Sequence, residues 1–472
     1  MTKRRAAMIP TVLVAVSIAL AGAASADGWY RLRIDLSATN YWGDLSVDGA
    51  QLLVADWDVT SGGETVDLMG ITELHFDRPC CPESRVRASF DVYLSDIEDD
   101  ELTWTVTGGG GGSTFFSIYR IDGAQEELLE TYSVRGSAGM SDRPHEFVMP
   151  AEQITSAGPP SALPMDEASD VETDPLVLAF YYPWYGSPDG PRGRWDHWDP
   201  VPSGDGGMTY KSTNEPLAGY YDSQDPATIR RHIEEAKSAG IDAFICSWWG
   251  SFTPTDDALA VILPIAKDMD FLITVYVEKS YDVDRAIDEL VYVVKTHGGS
   301  PAFLHQDGRP VLFAYGRTTD RLSSAQWASV REGLDDAGID PFLIGDSVGG
   351  DTLDVFDGLH DYATFIWPLD DVENRYESAS LLCDMKGKLF AVTVAPGLDK
   401  AGIGQPEVFI DRRNGDFYRD LWEIAIMNAA DWVLITSYNE WHEGTEIEPS
   451  VEYEAEYLDL TRELADLWRS DK

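Results

Sequence analysis

The chain has 472 residues, with 82 Asp and Glu against 35 Lys and Arg and a formal net charge of −47. A surface this acidic repels nucleic-acid phosphates and anionic lipid, so we expect neither nucleic acid nor a membrane as a partner. The excess of acidic residues also predicts adaptation to a salt-rich habitat, in which counterions screen the charge. A soluble acidic secreted protein without that adaptation is the alternative.

Four cysteines are too few for a disulfide scaffold in a chain of this length. Cys80 and Cys81 are adjacent, where a bridge between neighbours is strained, while Cys246 and Cys383 lie in apolar runs typical of a core. Because no Cys or His spacing matches a zinc site, we expect no metal and no cofactor.

The N-terminus has the order of a secretory signal peptide. Basic residues precede an apolar run, and the small-residue sequence "ASA" ends at Ala26. The sequence therefore predicts a signal peptide over residues 1–26 and a secreted or cell-surface protein, which we expect to be a monomer. An uncleaved membrane anchor is the alternative.

Residues 27–154 show the period-two pattern of strands. "LRIDL", "VRASFDVYL", "LTWTVT" and "FFSIYRI" alternate apolar and polar side chains or carry strand-forming residues, with turn signals between them. This pattern predicts an all-β sandwich domain. Residues 155–175 are rich in Pro, Ser, Ala and acid without periodicity, which predicts a linker.

After residue 175 the pattern changes to alternating strands and helices. Apolar strand-like runs begin at Leu176, Ile241, Phe271, Pro310, Pro341, Tyr362, Leu389 and Trp432. Amphipathic helices lie between them, such as the one that Asp225 and Pro226 start and Gly240 ends. Eight such repeats over residues 176–472 predict a (β/α)₈ barrel. A doubly wound open sheet is the alternative, but no GxGxxG follows a strand.

Active sites of such barrels lie at the carboxyl ends of the strands, so we expect the residues that follow each strand-like run to lie close together. Most of these residues are aromatic, and the set is Tyr182, Trp184, Tyr185, His197, Trp198, Trp248, Trp249, Tyr276, Glu278, Tyr315 and Trp367. Core packing explains many single aromatics. Aromatic planes stack on sugar rings and carboxylates bind hydroxyls, so the whole set predicts a neutral polyhydroxyl ligand.

The last strand leads into "TSYNEWHEGTEIEPS". Cleavage of a glycosidic bond needs two carboxyl groups, and Glu440 and Glu443 are placed at the strand end to supply them. A helix-cap or surface pair is the alternative for these two residues. Glu446 and Glu448 alternate with Ile447 and are expected to face solvent. The segment lacks the two-histidine spacing of a zinc helix.

These motifs have a recognisable resemblance. "FYYPWYG", "HWDP", "SWWG", "RRNGDFYRDLWEIAI" and "ITSYNEWHEGTEIEPS" occur in collinear order from Leu176 to about Tyr457. Together they resemble glycoside hydrolase family 99, the endo-acting α-mannosidases, which include glycoprotein endo-α-1,2-mannosidases. The first 160 residues do not share the resemblance.

The resemblance implies roles for individual residues. It places the base that deprotonates the sugar 2-hydroxyl on Glu440 and the general acid, then base, on Glu443, which gives net retention without a glycosyl-enzyme ester. Asn439, Trp441 and Tyr362 join the strand-end residues above as expected substrate-binding positions.

Two segments depart from the family pattern. The family commonly has Glu-Pro-Tyr after the third strand, whereas here Glu278 is followed by Lys279, Ser280 and Tyr281, and Tyr362 matches weakly. From the resemblance we expect a secreted, retaining endo-α-mannosidase that acts on an oligo- or polysaccharide. An endo-α-glucanase and a non-catalytic glycan-binding protein are the alternatives.

Overall fold

The computed structural model describes residues 30–38, 42–48, 51–61, 66–69, 73–77, 86–95, 97, 101–109, 113–122, 125–135, 145–155, 174–202, 208–279, 281–319, 321–347 and 350–472. The expected signal peptide, Cys80, Cys81 and all but the ends of the expected linker lie outside these ranges. Each helix within them is too short or too polar to cross a lipid bilayer.

Antiparallel strands form the N-terminal part. In chain order they are β1 Tyr30–Ala38, β2 Trp42–Asp48, β3 Gln51–Ser61, β4 Val66–Met69, β5 Glu73–Asp77, β6 Val86–Ser95, β7 Glu101–Gly109, β8 Ser113–Asp122, β9 Gln125–Arg135 and β10 His145–Pro150, followed by the short helix α1 Glu152–Thr155. In the described part they form two sheets, with the orders β3-β6-β1-β8-β9 and β10-β7-β2-β5-β4.

The two sheets share one apolar core. Leu32 and Val92 of the first sheet and Leu102 and Trp104 of the second are fully buried in it. Leu32 lies opposite Val92 in the antiparallel register, so alternate side chains of each strand point inward. This packing of two sheets face to face is the sandwich that the period-two pattern predicts.

From Leu176 onward strands and helices alternate. The elements are β11 Leu176–Tyr181, β12 Val201–Pro202, β13 Met208–Thr209, α2 Pro226–Ser238, β14 Ala243–Trp248, α3 Pro254–Asp268, β15 Leu272–Val277, α4 Val283–Thr296, β16 His305–Gln306, β17 Arg309–Ala314, α5 Gly316–Thr319, α6 Ser324–Asp336, β18 Phe342–Asp346, α7 Gly350–Asp354, β19 Gly358–His360, α8 Leu369–Lys386, β20 Leu389–Val394, β21 Leu398–Asp399, β22 Phe409–Ile410, α9 Asp416–Met427, β23 Trp432–Ile435 and α10 Glu456–Asp471. Short 3-10 helices occur at Thr364–Ile366, Ala401–Ile403 and Arg413–Gly415.

Eight parallel strands of this described part, β11, β14, β15, β17, β18, β19, β20 and β23, form a closed barrel. Strand β11 closes the ring: its Leu178 pairs with Ala243 of β14 on one side and with Leu434 of β23 on the other, so the sheet has no edge. Nearly every strand residue is buried, because inward side chains fill the barrel and outward ones pack under the helices. The predicted (β/α)₈ barrel is confirmed.

The prediction for the sixth barrel strand is wrong in its position. That strand is Gly358–His360, and the apolar run that begins at Tyr362 instead forms the 3-10 turn Thr364–Ile366. The run is apolar because Phe365 packs into the core outside the barrel, not because it pairs in the sheet. Tyr362 consequently follows the strand and lies at its carboxyl end.

Helix starts follow the capping residues in the sequence. The Asp225 carboxylate accepts the Ala227 N–H, and Pro226 is in the first turn of α2. Asp282 caps α4 in the same way. Cys246 and Cys383 are buried free thiols, as their apolar contexts predict.

Candidate active site

The loop of residues 436–448, named the catalytic loop after the roles expected for Glu440 and Glu443, directly follows β23 and is held as a compact turn. The Ser437 hydroxyl accepts the Glu440 N–H at 2.7 Å and lies 2.9 Å from the Thr445 hydroxyl. Gly444 has φ of 60°, and a Cβ on it would lie 2.6 Å from the Asp399 carbonyl oxygen, so only glycine fits there. These contacts place Glu440 and Glu443 on one turn at the carboxyl end of the barrel.

Glu440 is buried, with 3 % of its surface exposed. Its carboxylate accepts the His442 N–H at 3.1 Å, and no arginine or lysine contact to it is seen among the described residues. Burial and the nearby charge of Glu443 raise the pKa of Glu440 well above its ordinary value. The His442 ring in turn donates from Nε2 to the His197 carbonyl oxygen at 2.6 Å, which fixes the ring beside Glu440.

Glu443 is half-buried and has a cation next to it. The Lys400 ammonium lies 2.9 Å from the Glu443 carboxylate, and the Asp399 N–H donates to the Glu443 carbonyl oxygen at 2.8 Å. Lys400 and Asp399 belong to the loop that follows the seventh barrel strand. No pattern in the sequence identifies Lys400, because its approach to Glu443 depends on how two loops pack.

A third carboxylate, Glu278, lies at the end of the third barrel strand. It is buried, it accepts the Ser247 hydroxyl at 2.8 Å, and burial raises its pKa from 4.5 to about 7. The Trp249 indole N–H donates to the same Ser247 hydroxyl at 3.1 Å. The kept glutamate is therefore in the site although the residues after it differ from the family pattern.

Tyr182 and Tyr362 bring opposite sides of the barrel together, with their hydroxyl oxygens 2.6 Å apart. Burial raises the pKa of Tyr182 well above its ordinary value, and the Tyr362 hydroxyl and the charges of Glu278, Glu440 and Glu443 add to this effect. The Tyr182 hydroxyl is therefore influenced by the charges of all three carboxylates. Tyr362, the weak match by sequence, is a member of this cluster.

Asp346, at the end of the fifth barrel strand, is a buried carboxylate that sequence reasoning missed. It accepts the Tyr276 hydroxyl at 3.0 Å and the Gly316 and Tyr362 N–H groups at 2.9 Å each. It therefore fixes both tyrosines and the turn after the fourth strand, next to Tyr315. Its place at a strand end was the signal that could have identified it.

Trp184 and His197 form a stacked pair at the rim, with ring centroids 4.6 Å apart and an interplanar angle of 1°. The Trp184 side chain also hydrogen-bonds the Tyr185 hydroxyl, which opposes the larger effect of burial on the pKa of Tyr185. Burial lowers the pKa of His197 to about 4, which keeps this ring neutral.

Several predicted binding residues lie outside the cluster of carboxylates. Trp248 points outward from the barrel and donates to Asp256 of α3 at 3.1 Å, so the structure does not bring it to the cluster. Trp198 is buried behind Tyr185, with ring centroids 4.0 Å apart. Trp367 lies on the outer side, where Arg375 covers its ring.

Asn439 and Trp441 support the site from beneath. The Asn439 side-chain oxygen accepts the Tyr182 N–H at 2.7 Å, which ties the catalytic loop to the first barrel strand. The Trp441 N–H donates to the Tyr185 hydroxyl at 3.1 Å. These contacts orient the loop, and Tyr185 itself is fully buried.

The expectation that Glu446 and Glu448 face solvent is wrong. Their exposed fractions are 1 % and 2 %. Glu446 accepts from Arg412 at 2.8 Å and from Asn214 at 2.7 Å. Glu446 and Glu448 alternate with Ile447 because the segment is extended and buried. In a chain this acidic, they resemble ordinary surface charges, which is why the prediction failed.

Glu448 is the centre of a larger buried network. Its carboxylate accepts the Tyr221 hydroxyl at 2.7 Å and the Trp441 indole N–H at 3.1 Å, with Arg231 at 3.2 Å and His232 at 2.9 Å. Burial alone would raise the pKa of Glu448, but His232 and Arg231 outweigh it and lower the pKa. The network connects α2 to the catalytic loop.

The site thus contains paired carboxylates, a third buried acid and a wall of aromatic rings, and no arrangement of three or more metal-ligating side chains is found in the described ranges. Such a set can move protons and stack on sugar rings.

Comparison with known proteins also indicates a glycoside hydrolase. The family model for glycosyl hydrolase family 99 matches residues 172–470. A glycoprotein endo-alpha-1,2-mannosidase-like protein of Mus musculus is 28% identical over 374 residues, which are 67% of this chain and 81% of that protein. Glycoprotein endo-alpha-1,2-mannosidase of Xenopus laevis is 28% identical over 350 residues, 62% of this chain and 77% of that one.

A solved structure is also similar. The GH99 endo-alpha-mannosidase from Bacteroides thetaiotaomicron aligns with a TM-score of 0.56 and 26% identity, covering 64% of this chain and 99% of that one. Since the family model spans more than half of the chain, the protein belongs to glycosyl hydrolase family 99 and is a glycoside hydrolase that acts on an oligosaccharide substrate.

Proposed function

We propose that this protein is a retaining endo-α-mannosidase in which Glu440 is the base at the sugar 2-hydroxyl and Glu443 is the acid and then base at the leaving group. The observation that carries the proposal is the position of two carboxyl groups on one turn at the carboxyl end of the barrel, each in a different environment. Glu440 is buried and accepts a backbone N–H, whereas Glu443 is half-buried beside Lys400. Two carboxyl groups with separate tasks are what cleavage of a glycosidic bond requires.

In the first step Glu440 takes the proton of the 2-hydroxyl, and this oxygen attacks the anomeric carbon as the glycosidic bond breaks. Glu443 gives its proton to the departing oxygen. Water then attacks the anomeric carbon and breaks the bond between this carbon and O2, while Glu443 takes the water proton and Glu440 returns its proton to the released O2. Two inversions give net retention, and no covalent bond to the protein forms.

The different environments fit these roles. Glu440 lies in the dry part of the site with a raised pKa, which makes its carboxylate a stronger base toward a weakly acidic hydroxyl. Glu443 is half-exposed, where a leaving group and water can enter. Tyr182 and Tyr362, whose hydroxyls meet beside the carboxylates, are suited to hold the reacting sugar.

Stereochemistry distinguishes mannan from glucan. In an α-mannoside the 2-oxygen is trans to the leaving group and can attack from behind, whereas in an α-glucoside it is cis and cannot. We therefore expect hydrolysis of α-mannans or mannosylated N-glycans and none of α-glucans, measured in high salt with NMR of the first-formed anomer. Cleavage of an α-glucan, or inversion, would overturn the 2-hydroxyl mechanism, and turnover of no glycan by folded protein would favour a binding protein.

The proposal extends to the site of action. The signal-like residues 1–26 support secretion, and the net charge of −47 supports function at high ionic strength. Salt that shortens the Debye length from ~10 Å at 0.1 M to ~3 Å at 1 M should raise the Tm by screening carboxylate repulsion. A Tm that stays constant or falls over this range would contradict the proposed adaptation to high salt.

The sandwich is proposed to fold as a separate accessory domain. Its core is built from its own strands, and the site residues described above all lie after Leu176. A barrel that begins near Thr173 should keep its turnover of a short oligosaccharide, and only polymer activity should depend on the sandwich. Loss of turnover on the short substrate with an unchanged circular dichroism spectrum would contradict this boundary.

A further inference from the structure

Phe252 is an aromatic residue whose conformation and exposure are both unfavourable for folding. Its side chain is 84% exposed, on the loop between the second barrel strand and α3. Its backbone has φ of 59°, in the left-handed region that a bulky side chain rarely adopts. Glycine in its place would relieve this strain and lose almost no buried apolar surface. The fold alone therefore does not account for a phenylalanine here.

The loop is fixed rigidly in this conformation. The Phe252 N–H donates to Asp256 at 3.0 Å, and the Ser251 N–H donates to Glu289 at 2.8 Å. Both carboxylates are buried, and Asp256 also accepts from Tyr292 at 2.7 Å. Buried, hydrogen-bonded carboxylates make these contacts strong. The strained residue is consequently held in place by its neighbours.

One side of the Phe252 ring is braced and the rest is open to solvent. Its centroid lies 5.2 Å from that of Tyr292, with the ring planes tilted by 58°. A ring that is supported on one side and pre-oriented loses little conformational entropy when a ligand stacks on it. The aromatic surface is thus prepared for a flat, partly apolar partner such as a sugar ring.

The position of Phe252 relates it to the active site. It follows Trp249 by three residues, and the Trp249 indole shares the Ser247 hydroxyl with Glu278. Three residues of extended chain span at most about 11 Å, so Phe252 lies within a few sugar units of Trp249. Both residues are on the loop after the second barrel strand, at the carboxyl end of the barrel.

We propose that Phe252 is the stacking platform of an outer sugar-binding subsite, which holds a glycan unit beyond the sugars at the cleavage point. The proposal rests on the endo-acting function above, because only a chain that continues past the cavity reaches this ring. The ligand class is a neutral α-linked oligo- or polysaccharide. A stacked sugar compensates for the exposure of the ring, and the rigid loop sets its direction.

The test uses the full-length protein and two substrates: a soluble branched α-mannan and the shortest manno-oligosaccharide that is cleaved. For Phe252→Gly we expect the KM on the polymer to rise about 3- to 10-fold, the range of a single aromatic contact. Turnover of the short substrate should not change, and the Tm should stay equal or rise because strain is relieved. Phe252→Trp should keep the polymer KM.

Ala429→Gly is the matched control for strain. Ala429 has φ of 51° and lies before the eighth barrel strand, at the end of the barrel opposite the site. We expect this change to raise the Tm and leave both KM values unchanged. An unchanged polymer KM for Phe252→Gly, or an equal loss on both substrates, would overturn the subsite. A shift of oligomeric state in Phe252→Gly would overturn it too, by assigning the ring to an interface between copies.

A binding measurement separates this proposal from the function on which it rests. In native gels that contain the α-mannan, wild-type protein should be retarded and Phe252→Gly should be retarded less, whether or not the glycan is cleaved. Equal retardation of both proteins, or retardation of neither, would overturn the subsite. If nothing is hydrolysed but the gel difference is present, the subsite stands and the hydrolytic mechanism fails.

Discussion

The catalytic loop contains two buried glutamates, Glu440 and Glu448, whose pKa values are shifted in opposite directions. Glu440 is buried beside neutral donors, and its pKa is well above the ordinary value. Glu448 is as deeply buried, but His232 and Arg231 lower its pKa. The two residues are eight positions apart on one segment and have the same side chain. Their partners from other elements, and not their burial, decide which one holds a proton readily and which one is a fixed charge.

This difference explains how the loop can be both reactive and rigid. Glu446 and Glu448 are bound to Arg412 and Arg231, which come from the loop before α9 and from α2. Those ion pairs hold the loop from beneath. On the other side Glu440 accepts a backbone N–H, and Glu443 pairs with the partly exposed Lys400. Pre-organised supports of this kind keep catalytic groups in place without neutralising them.

The largest expected effect is on activity. Glu440→Gln and Glu443→Gln should each lower kcat/KM on a natural glycan by about 10²- to 10⁴-fold, the range of general acid–base catalysis. On a substrate with an activated leaving group the Glu443→Gln loss should be much smaller, because little protonation is needed. The Glu440→Gln loss should be the same on both substrates. Steady-state kinetics on the two substrates measures this, and equal losses for Glu443→Gln would remove that residue from the acid role.

The next effect is on stability and concerns Glu448. Glu448→Gln should lower the free energy of unfolding by about 3 kcal/mol near neutral pH, because Arg231 loses its buried counter-charge and the Tyr221 and His232 side chains lose a charged hydrogen-bond partner. A lowered pKa stabilises the fold above the ordinary glutamate value of 4.5, and this contribution is lost as the pH falls below it. The difference from wild type should therefore shrink in acid.

Denaturant titration at several pH values measures that effect. Glu463→Gln is the control, since Glu463 is exposed and pairs with Arg419 on the surface, and its loss should leave stability unchanged. If the two variants were equally stable, Glu448 would not be an anchor of the loop.

At Glu278 we expect stability to depend on pH in the opposite direction from that at Glu448. Burial raises its pKa from 4.5 to about 7, so the folded state binds an extra proton between these values and loses stability as the pH rises through them. A pKa difference of about 2.5 corresponds to about 3 kcal/mol. Glu278→Gln should be more stable than wild type above pH 7 by up to this amount, and equal to it below about pH 4.5. A difference that grows in acid would contradict the assignment.

The smallest expected effect is at Lys400. Its pair with Glu443 is partly exposed, so solvent and salt screen it, and Lys400→Met should change kcat/KM by less than about 10-fold. The change should be smaller in 1 M salt than in 0.1 M salt, where the Debye length is ~3 Å against ~10 Å. A loss of a hundredfold or more at both salt concentrations would mean that Lys400 contacts the substrate directly.

The sequence by itself determined the architecture and the place of the site. Buried parallel strands read as apolar runs, helices begin at capping residues such as Asp225, and barrel sites lie at the carboxyl ends of strands. These are local patterns, so Glu278, Glu440 and Glu443 could be placed before any contact was known. The position of the sixth barrel strand was mispredicted because this strand has only three residues. The longer apolar run after it forms a 3-10 turn instead.

Only the tertiary structure decided what each polar side chain contacts. Asp346, Lys400 and the two anchors Glu446 and Glu448 depend on partners tens to hundreds of residues away, and no spacing along the chain records such contacts. An acidic composition makes a buried glutamate look like one more surface charge. Burial with a specific partner is a property of the folded chain, because it depends on which strands and loops the closed barrel brings together.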